Sequence, residues 1–125
     1  MKKLCFQQMR EFDVEDLLQS KPTWIDNARI SEDLRGKRIL VTGAAGPAGP
    51  EVVQQVLNYK PSMVILCDRA EAALYYLKLE VEERFPNIPT KMFLGDIRDF
   101  RRMHKLFSDY RPEIVLHAVS YKHAS

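Results

Sequence analysis

Gly43, Gly46 and Gly49 are the residues of this chain whose type and spacing most clearly suit chemistry. They lie in Gly43-Ala44-Ala45-Gly46-Pro47-Ala48-Gly49, after the apolar run Ile39-Leu40-Val41 and before Val52, Val53, Val56 and Leu57 at helical spacing. In such a strand-to-helix turn the first glycine permits the tight bend. The second lets backbone approach a diphosphate, and the third lets helix and strand pack closely. The helix N-terminus adds free N–H groups and a partial positive charge. A glycine pattern alone is weak evidence, since a plain tight turn also produces it; the flanking strand and helix supply the confirming context. Gly43, Ala45, Gly46, Pro47, Ala48 and Gly49 are therefore expected to line a dinucleotide-type phosphate loop.

Two acids fall where such a loop needs them. Asp68 ends the second apolar run, Met63-Val64-Ile65-Leu66-Cys67. A carboxylate there accepts hydrogen bonds from ribose hydroxyls; helix N-capping is the competing role. Arg69 follows, suited to a 2′-phosphate, to an adenine face or simply to solvent. Asp96 comes after Met92-Phe93-Leu94 and Gly95, placed to accept from an adenine amino group or to form a Gly-Asp turn. Beyond the fourth run, Ile114-Val115-Leu116, the residues Ala118, Val119 and Ser120 are expected beside the dinucleotide. Lys122 and His123 would face substrate or cofactor phosphate, with chain-end fraying as the plain alternative. NAD and NADP both remain open, because Asp68 favours a free 2′-hydroxyl while Arg69 accommodates a phosphate. No catalytic residue and no metal site is read. Cys5 and Cys67 lack zinc-ligand or CxxC spacing, and Cys67 reads as a small buried hydrophobe.

The elements that must position these residues follow from residue 37 onward. Four apolar runs alternate with three amphipathic stretches, giving β-α-β-α-β-α-β. The second helix presents Ala70, Ala73, Leu74, Leu77, Val81 and Phe85; the third presents Phe100, Met103, Phe107 and Tyr110, with Asp99 as N-cap. Tyr75 and Tyr76 are expected to pack at the sheet edge and His104 to be solvated. Continuous apolar strands alternating with helices predict an α/β fold, a truncated doubly wound (Rossmann-type) parallel sheet of about four strands with helices on both faces. Its strand order would be 3-2-1-4. Residues 1–36 read as a lead-in segment that packs on the domain, with one amphipathic stretch, Val14-Glu15-Asp16-Leu17-Leu18, stopped by Pro22. Residues 37–125 read as the N-terminal half of a dinucleotide-binding domain. The fourth strand, Ile114 to Ala118, is expected to be a sheet edge with uncovered apolar faces, open to self-association.

Composition excludes other classes. The chain has 125 residues, 46% hydrophobic and 29% charged, which fits one globular domain. A net charge of +2, dispersed in short pairs such as Lys37-Arg38 and Arg101-Arg102, argues against nucleic acid. No run approaches the roughly 20 apolar residues of a membrane span, and Gln7, Gln8 and Arg10 interrupt any signal-peptide core. A cytoplasmic location is expected, consistent with the sparse cysteines.

Taken in order, Ile39-Leu40-Val41-Thr42-Gly43-Ala44-Ala45-Gly46, Leu66-Cys67-Asp68-Arg69, Leu94-Gly95-Asp96-Ile97-Arg98-Asp99 and His117-Ala118 with Tyr121-Lys122-His123 resemble one family. This is the polysaccharide-biosynthesis branch of the extended short-chain dehydrogenases, the nucleoside-diphosphate-sugar dehydratases and epimerases of UDP-N-acetylglucosamine 4,6-dehydratase type. The lead-in Asp13-Val14-Glu15-Asp16-Leu17-Leu18 also resembles the segment that joins the membrane part of long members to their catalytic domain. The resemblance implies a tightly held NAD(P) that takes a hydride from sugar C4 and returns it to C6 after loss of water. It implies cofactor contacts at Gly43, Gly46, Pro47, Ala48, Asp68, Arg69, Asp96, Ile97, Ala118 and Lys122. The family's catalytic Asp-Lys pair, later lysine motif and sugar-nucleotide residues lie beyond the fourth strand and are not in this sequence. The resemblance thus implies an NAD(P)-binding portion that is not catalytic alone and meets a nucleotide sugar only with a second half. A non-enzymatic assembly module pairing through the fourth strand, and a truncated inactive product, are the competing readings.

Departures from the family pattern bear on affinity. Pro47 stands where the loop usually has serine, removing a hydroxyl and a backbone N–H. Losing a hydrogen bond to a charged group costs about 1.5–3 kcal/mol, about ten- to a hundredfold in affinity. Pro47 is read as the first helical residue, a comfortable position for proline. Pro50 removes a further first-turn N–H, Ala48 thins the packing, and Ala70 replaces a capping serine. Val119 and Ser120 stand in place of alanines.

Overall fold

The apolar runs become strands of one parallel sheet in the computed structural model, which describes residues 10–12 and 31–118. The elements are β1 (Arg10–Phe12), β2 (Arg38–Thr42), α1 (Gly49–Leu57), β3 (Met63–Asp68), α2 (Glu71–Arg84), β4 (Thr90–Leu94), α3 (Phe100–Tyr110) and β5 (Ile114–His117). Strand order is β1-β5-β2-β3-β4, every pair parallel. Read from β2, this is the doubly wound order expected from the sequence, with one strand added. The chain moves across the sheet from β2 to β4, so right-handed crossovers put α1 and α2 on one face. The return from β4 to β5 puts α3 on the other.

Side-chain alternation divides the core accordingly. Ile39, Val41, Val64, Leu66, Ile114 and Leu116 face the layer holding Val52, Val53, Val56, Leu74, Leu77 and Val81. Leu40, Ile65, Cys67 and Val115 face Met103, Leu106 and Phe107. Each fully buried aliphatic side chain contributes about 1.5–3 kcal/mol, which is why strands with no polar alternation settle in the middle of three layers.

The fourth predicted strand is not the exposed edge that the sequence suggested. β1, from the lead-in, lies parallel beside it with Arg10 opposite Ile114 and Phe12 opposite Leu116. Ile114, Val115 and Leu116 are all buried. An unpaired strand presents a row of bare N–H and C=O groups, and the lead-in supplies a partner for them. The lead-in also contributes residues 31–34, which are helical, and its Leu34 is fully buried in the α1–α2 layer. The stretch from Val14 to Leu18 lies outside the described residues.

Two helix faces also differ. Tyr75 and Tyr76 are exposed, their rings 6.1 Å apart, rather than packed at the sheet edge. On α3 the buried residues are Met103, Leu106 and Phe107, and Phe100 is 63% exposed. Phe100 lies about one turn from Met103 and two from Phe107 on the same helix face, but as the first residue of the helix it stays out of the core. Asp99 caps α3 as expected, its side chain accepting from the Arg102 N–H at 3.2 Å. Asp99→Ala should cost about 1 kcal/mol of stability, read as a lower urea midpoint with an unchanged slope.

Candidate dinucleotide site

The carboxyl ends of β2, β3 and β4 carry the phosphate loop, Asp68 and Asp96 at one edge of the sheet, where open α/β sheets bind ligands. Gly43 leaves β2 with φ 67°, in the left-handed region that glycine enters without steric cost. The loop then folds on itself: Ala44 N–H donates to the Cys67 carbonyl at 3.1 Å, Gly46 N–H to Gly43 at 3.0 Å and Gly49 N–H to Gly46 at 3.2 Å. A Cβ on Gly49 would stand 1.9 Å from the Ala44 carbonyl oxygen, so α1 starts against β2 at a distance only glycine allows. A Cβ on Gly46 would meet the Gly43 oxygen at 3.3 Å, a much milder contact.

The helix begins at Gly49, with Ala48 as N-cap, so Pro47 precedes the helix rather than opening it, and Pro50 is the proline of the first turn. The sequence misplaced this start because Pro47 and Pro50 carry the same helix-opening signal. The consequence is electrostatic. Gly46 and Gly49 spend their N–H groups within the loop, and both prolines have none. Ala48 and Glu51 keep loop and first-turn N–H groups that donate to no other described residue. Two donors at a helix N-terminus fit a diphosphate, although sparsely.

Asp68 is tied into this loop. Its Oδ2 accepts from Ala45 N–H at 2.9 Å, and its Oδ1 from the N–H groups of Arg69 at 2.7 Å and Ala70 at 3.0 Å. The carboxylate thus clamps the phosphate loop to the end of β3. An ionised carboxylate has about four acceptor sites, so capacity remains for a hydroxyl. Asp68 does not cap α2: the N-cap is Ala70, which makes no side-chain cap bond.

Asp96 lies in the turn after β4 and accepts Arg98 N–H at 2.9 Å, so it forms the turn, and its side chain is partly exposed. The Arg98 guanidinium grips it through Nε at 3.0 and 3.2 Å and through Nη2 at 2.6 Å. Arg69 reaches the same Oδ2 through Nη1 at 3.2 Å. The hydrogen bonds from Arg98, with the Arg69 charge beside them, hold the Asp96 carboxyl well below the usual carboxylate range. Ile97 is exposed beside it. Among the described residues no group of His, Cys, Asp and Glu is arranged for a metal. Burial, with the neighbouring Asp68 charge, pushes the Cys67 thiol up to about 12, and its Sγ donates to the Gly95 carbonyl at 3.7 Å. That thiol is a packed hydrophobe, not a nucleophile.

Two residues escaped sequence reasoning. Thr42 Oγ1 lies 2.8 Å from His117 Nδ1, joining the ends of β2 and β5 beneath the loop. The signal was a polar residue closing each of two apolar runs. Arg98 is the other, visible only once the turn brings it back onto Asp96. Ala118 is buried at the end of β5, its N–H donating to the Thr42 carbonyl at 2.8 Å. Val119, Ser120 and Lys122 lie outside the described residues.

Strand order, glycine loop and the acid ending β3 define a Rossmann-type domain. The family model "Polysaccharide biosynthesis protein" matches residues 39–125, and the chain belongs to that family. It is 35% identical over 117 residues to the probable polysaccharide biosynthesis protein EpsC of Bacillus subtilis, covering 93% of this chain and 20% of that protein. It is 34% identical over 116 residues to the capsular polysaccharide biosynthesis protein CapD of Staphylococcus aureus, covering 92% and 19%. The chain therefore spans about one fifth of the length of these relatives. Among solved structures, a short chain dehydrogenase of Escherichia coli CFT073 complexed with NADPH superposes with a TM-score of 0.58 at 26% identity, over 71% of this chain and 39% of that one.

Proposed function

We propose that this chain is the NAD(P)-binding portion of a cytoplasmic nucleotide-sugar dehydratase or epimerase of polysaccharide biosynthesis. The observation that carries the reading is the Asp68 clamp. One carboxylate fixes the phosphate loop through Ala45 and stands at the end of β3 with accepting capacity left. The glycine loop, with N–H groups of Ala48 and Glu51 to offer, would hold the diphosphate; Asp68 would orient the ribose and Asp96 the adenine amino group. Ala45, Gly46, Pro47 and Gly49 would shape the loop around the ligand. Arg69, Ile97 and Ala118 would line the flanks, with Val119, Ser120 and Lys122 following β5. The NADPH held by the E. coli relative in fold supports a cofactor of this class.

NAD(P), when bound, accepts and returns a hydride. The chain spans about one fifth of the length of its curated relatives, and its proposed part in the reaction is to bind the cofactor rather than to turn over a sugar by itself. No helix of the described residues is long and apolar enough to cross a membrane. Assembly through a bare fourth strand is disfavoured, because β1 occupies that edge.

Calorimetric titration with NAD, NADP and ADP tests the reading. Binding of all three is expected, since the loop and Asp68 address their shared adenosine diphosphate. No binding at about 1 mM ligand, a free energy of only about −4 kcal/mol, would refute it. Pro47→Ser restores a backbone N–H and adds a hydroxyl beside the phosphate. It should tighten ADP and NAD by about tenfold. An unchanged affinity would show that the diphosphate does not approach residue 47.

A further inference from the structure

The Asp96 cluster goes one step beyond dinucleotide binding, and the inference rests on that reading. Arg98 engages Asp96 through its backbone N–H and two guanidinium nitrogens. Arg69 engages it through one nitrogen at 3.2 Å, with its side chain 72% exposed. Asp96 is thus satisfied by Arg98, and Arg69 is the loosely held partner. Arg69 also follows directly on Asp68, the position from which a residue reaches the ribose 2′ group.

We propose that Arg98 is a positioning residue for cofactor choice: by holding Asp96, it leaves Arg69 available to the 2′-phosphate of NADP. A 2′-phosphate carries charge and acceptor oxygens that suit a guanidinium fork. It can recruit Arg69 only if Asp96 is not left bare. With Arg98 present, Asp96 keeps its partner when Arg69 swings away. With Arg98 absent, Asp96 holds Arg69 back, and drawing Arg69 away would leave an uncompensated carboxylate beside the phosphate. NAD has no 2′-phosphate and makes no demand on Arg69's charge.

The test is calorimetric titration of NAD and NADP with the full chain and its Arg98→Ala, Arg98→Lys, Arg69→Ala and doubly substituted Arg69→Ala/Arg98→Ala forms. Arg98→Ala should weaken NADP relative to NAD by about fivefold, the scale of an exposed charge pair. That shift should shrink as ionic strength rises from about 0.05 M to about 0.5 M. Arg98→Lys should recover part of the ratio, because lysine supplies the charge without the fork. In the doubly substituted form, loss of Arg98 should change the ratio no further, since the two residues act through one contact. An unchanged NADP to NAD ratio in Arg98→Ala, or an equal loss for both cofactors, would overturn the proposal while leaving dinucleotide binding intact. Failure of the unsubstituted chain to bind either cofactor would overturn the underlying reading as well.

Discussion

Gly49→Ala should lower stability by about 3 kcal/mol, the upper end of what forced overpacking costs. The reason is local and rigid. The new Cβ would lie 1.9 Å from the Ala44 carbonyl oxygen, 2.3 Å from its carbon and 2.5 Å from the Gly43 oxygen, all backbone atoms. No side-chain rotation relieves such a clash, so α1 must move away from β2. That motion pulls Val52, Val53 and Val56, all fully buried, out of register with Ile39 and Val41. It also breaks the Gly49 N–H bond to Gly46 that closes the loop. Urea unfolding followed by far-UV circular dichroism reads the loss directly. Gly46→Ala is the matched control: its nearest contact is a single oxygen at 3.3 Å, so it should cost less than about 1 kcal/mol. Equal midpoints for the two variants would contradict the described packing of α1 on β2.

These two glycines show what the sequence made legible. Strand, glycine loop, helix and acid follow each other in order, and each obeys a local rule with a fixed spacing. The four strands β2 to β5 and the three helices were therefore readable from Ile39 to Leu116. Contacts made at long range were not. β1 joins β5 across more than 100 positions, and Arg10, Glu11 and Phe12 carry no strand pattern of their own. They pair because β5 offers an edge, which is a property of the assembled sheet. Arg98 and Thr42 escaped for the same reason, since turn geometry and strand adjacency bring their partners to them. Pro47 was misplaced by two residues because two prolines compete for one helix-opening rule, and backbone packing at Gly49 decides between them.

Asp68→Ala should have the largest effect on ligand binding, because in the proposed site one carboxylate serves both the loop, which it holds through Ala45, and the ligand. Its removal strands three backbone donors, at Ala45, Arg69 and Ala70. Donors near the surface recover water, so the stability cost stays at about 1–2 kcal/mol, in the range of a hydrogen-bonded carboxylate rather than the sum of three bonds. The binding cost is separate. The loop loses its tether to β3, and the ribose would lose the acceptor proposed for it. Together these should weaken NAD by about a hundredfold, two charge-assisted contacts at about 1.5 kcal/mol each. Asp68→Asn separates the parts: its amide oxygen still accepts from one side, but its NH2 faces a donor where the second oxygen stood. It should therefore keep most of the stability and lose most of the affinity. The decisive comparison is ADP against NAD in both variants, at matched ionic strength. The two ligands should weaken together if Asp68 addresses their shared adenosine diphosphate end, as proposed. A loss confined to NAD would place the contact of Asp68 on the nicotinamide side and reverse the assigned orientation of the dinucleotide across the sheet.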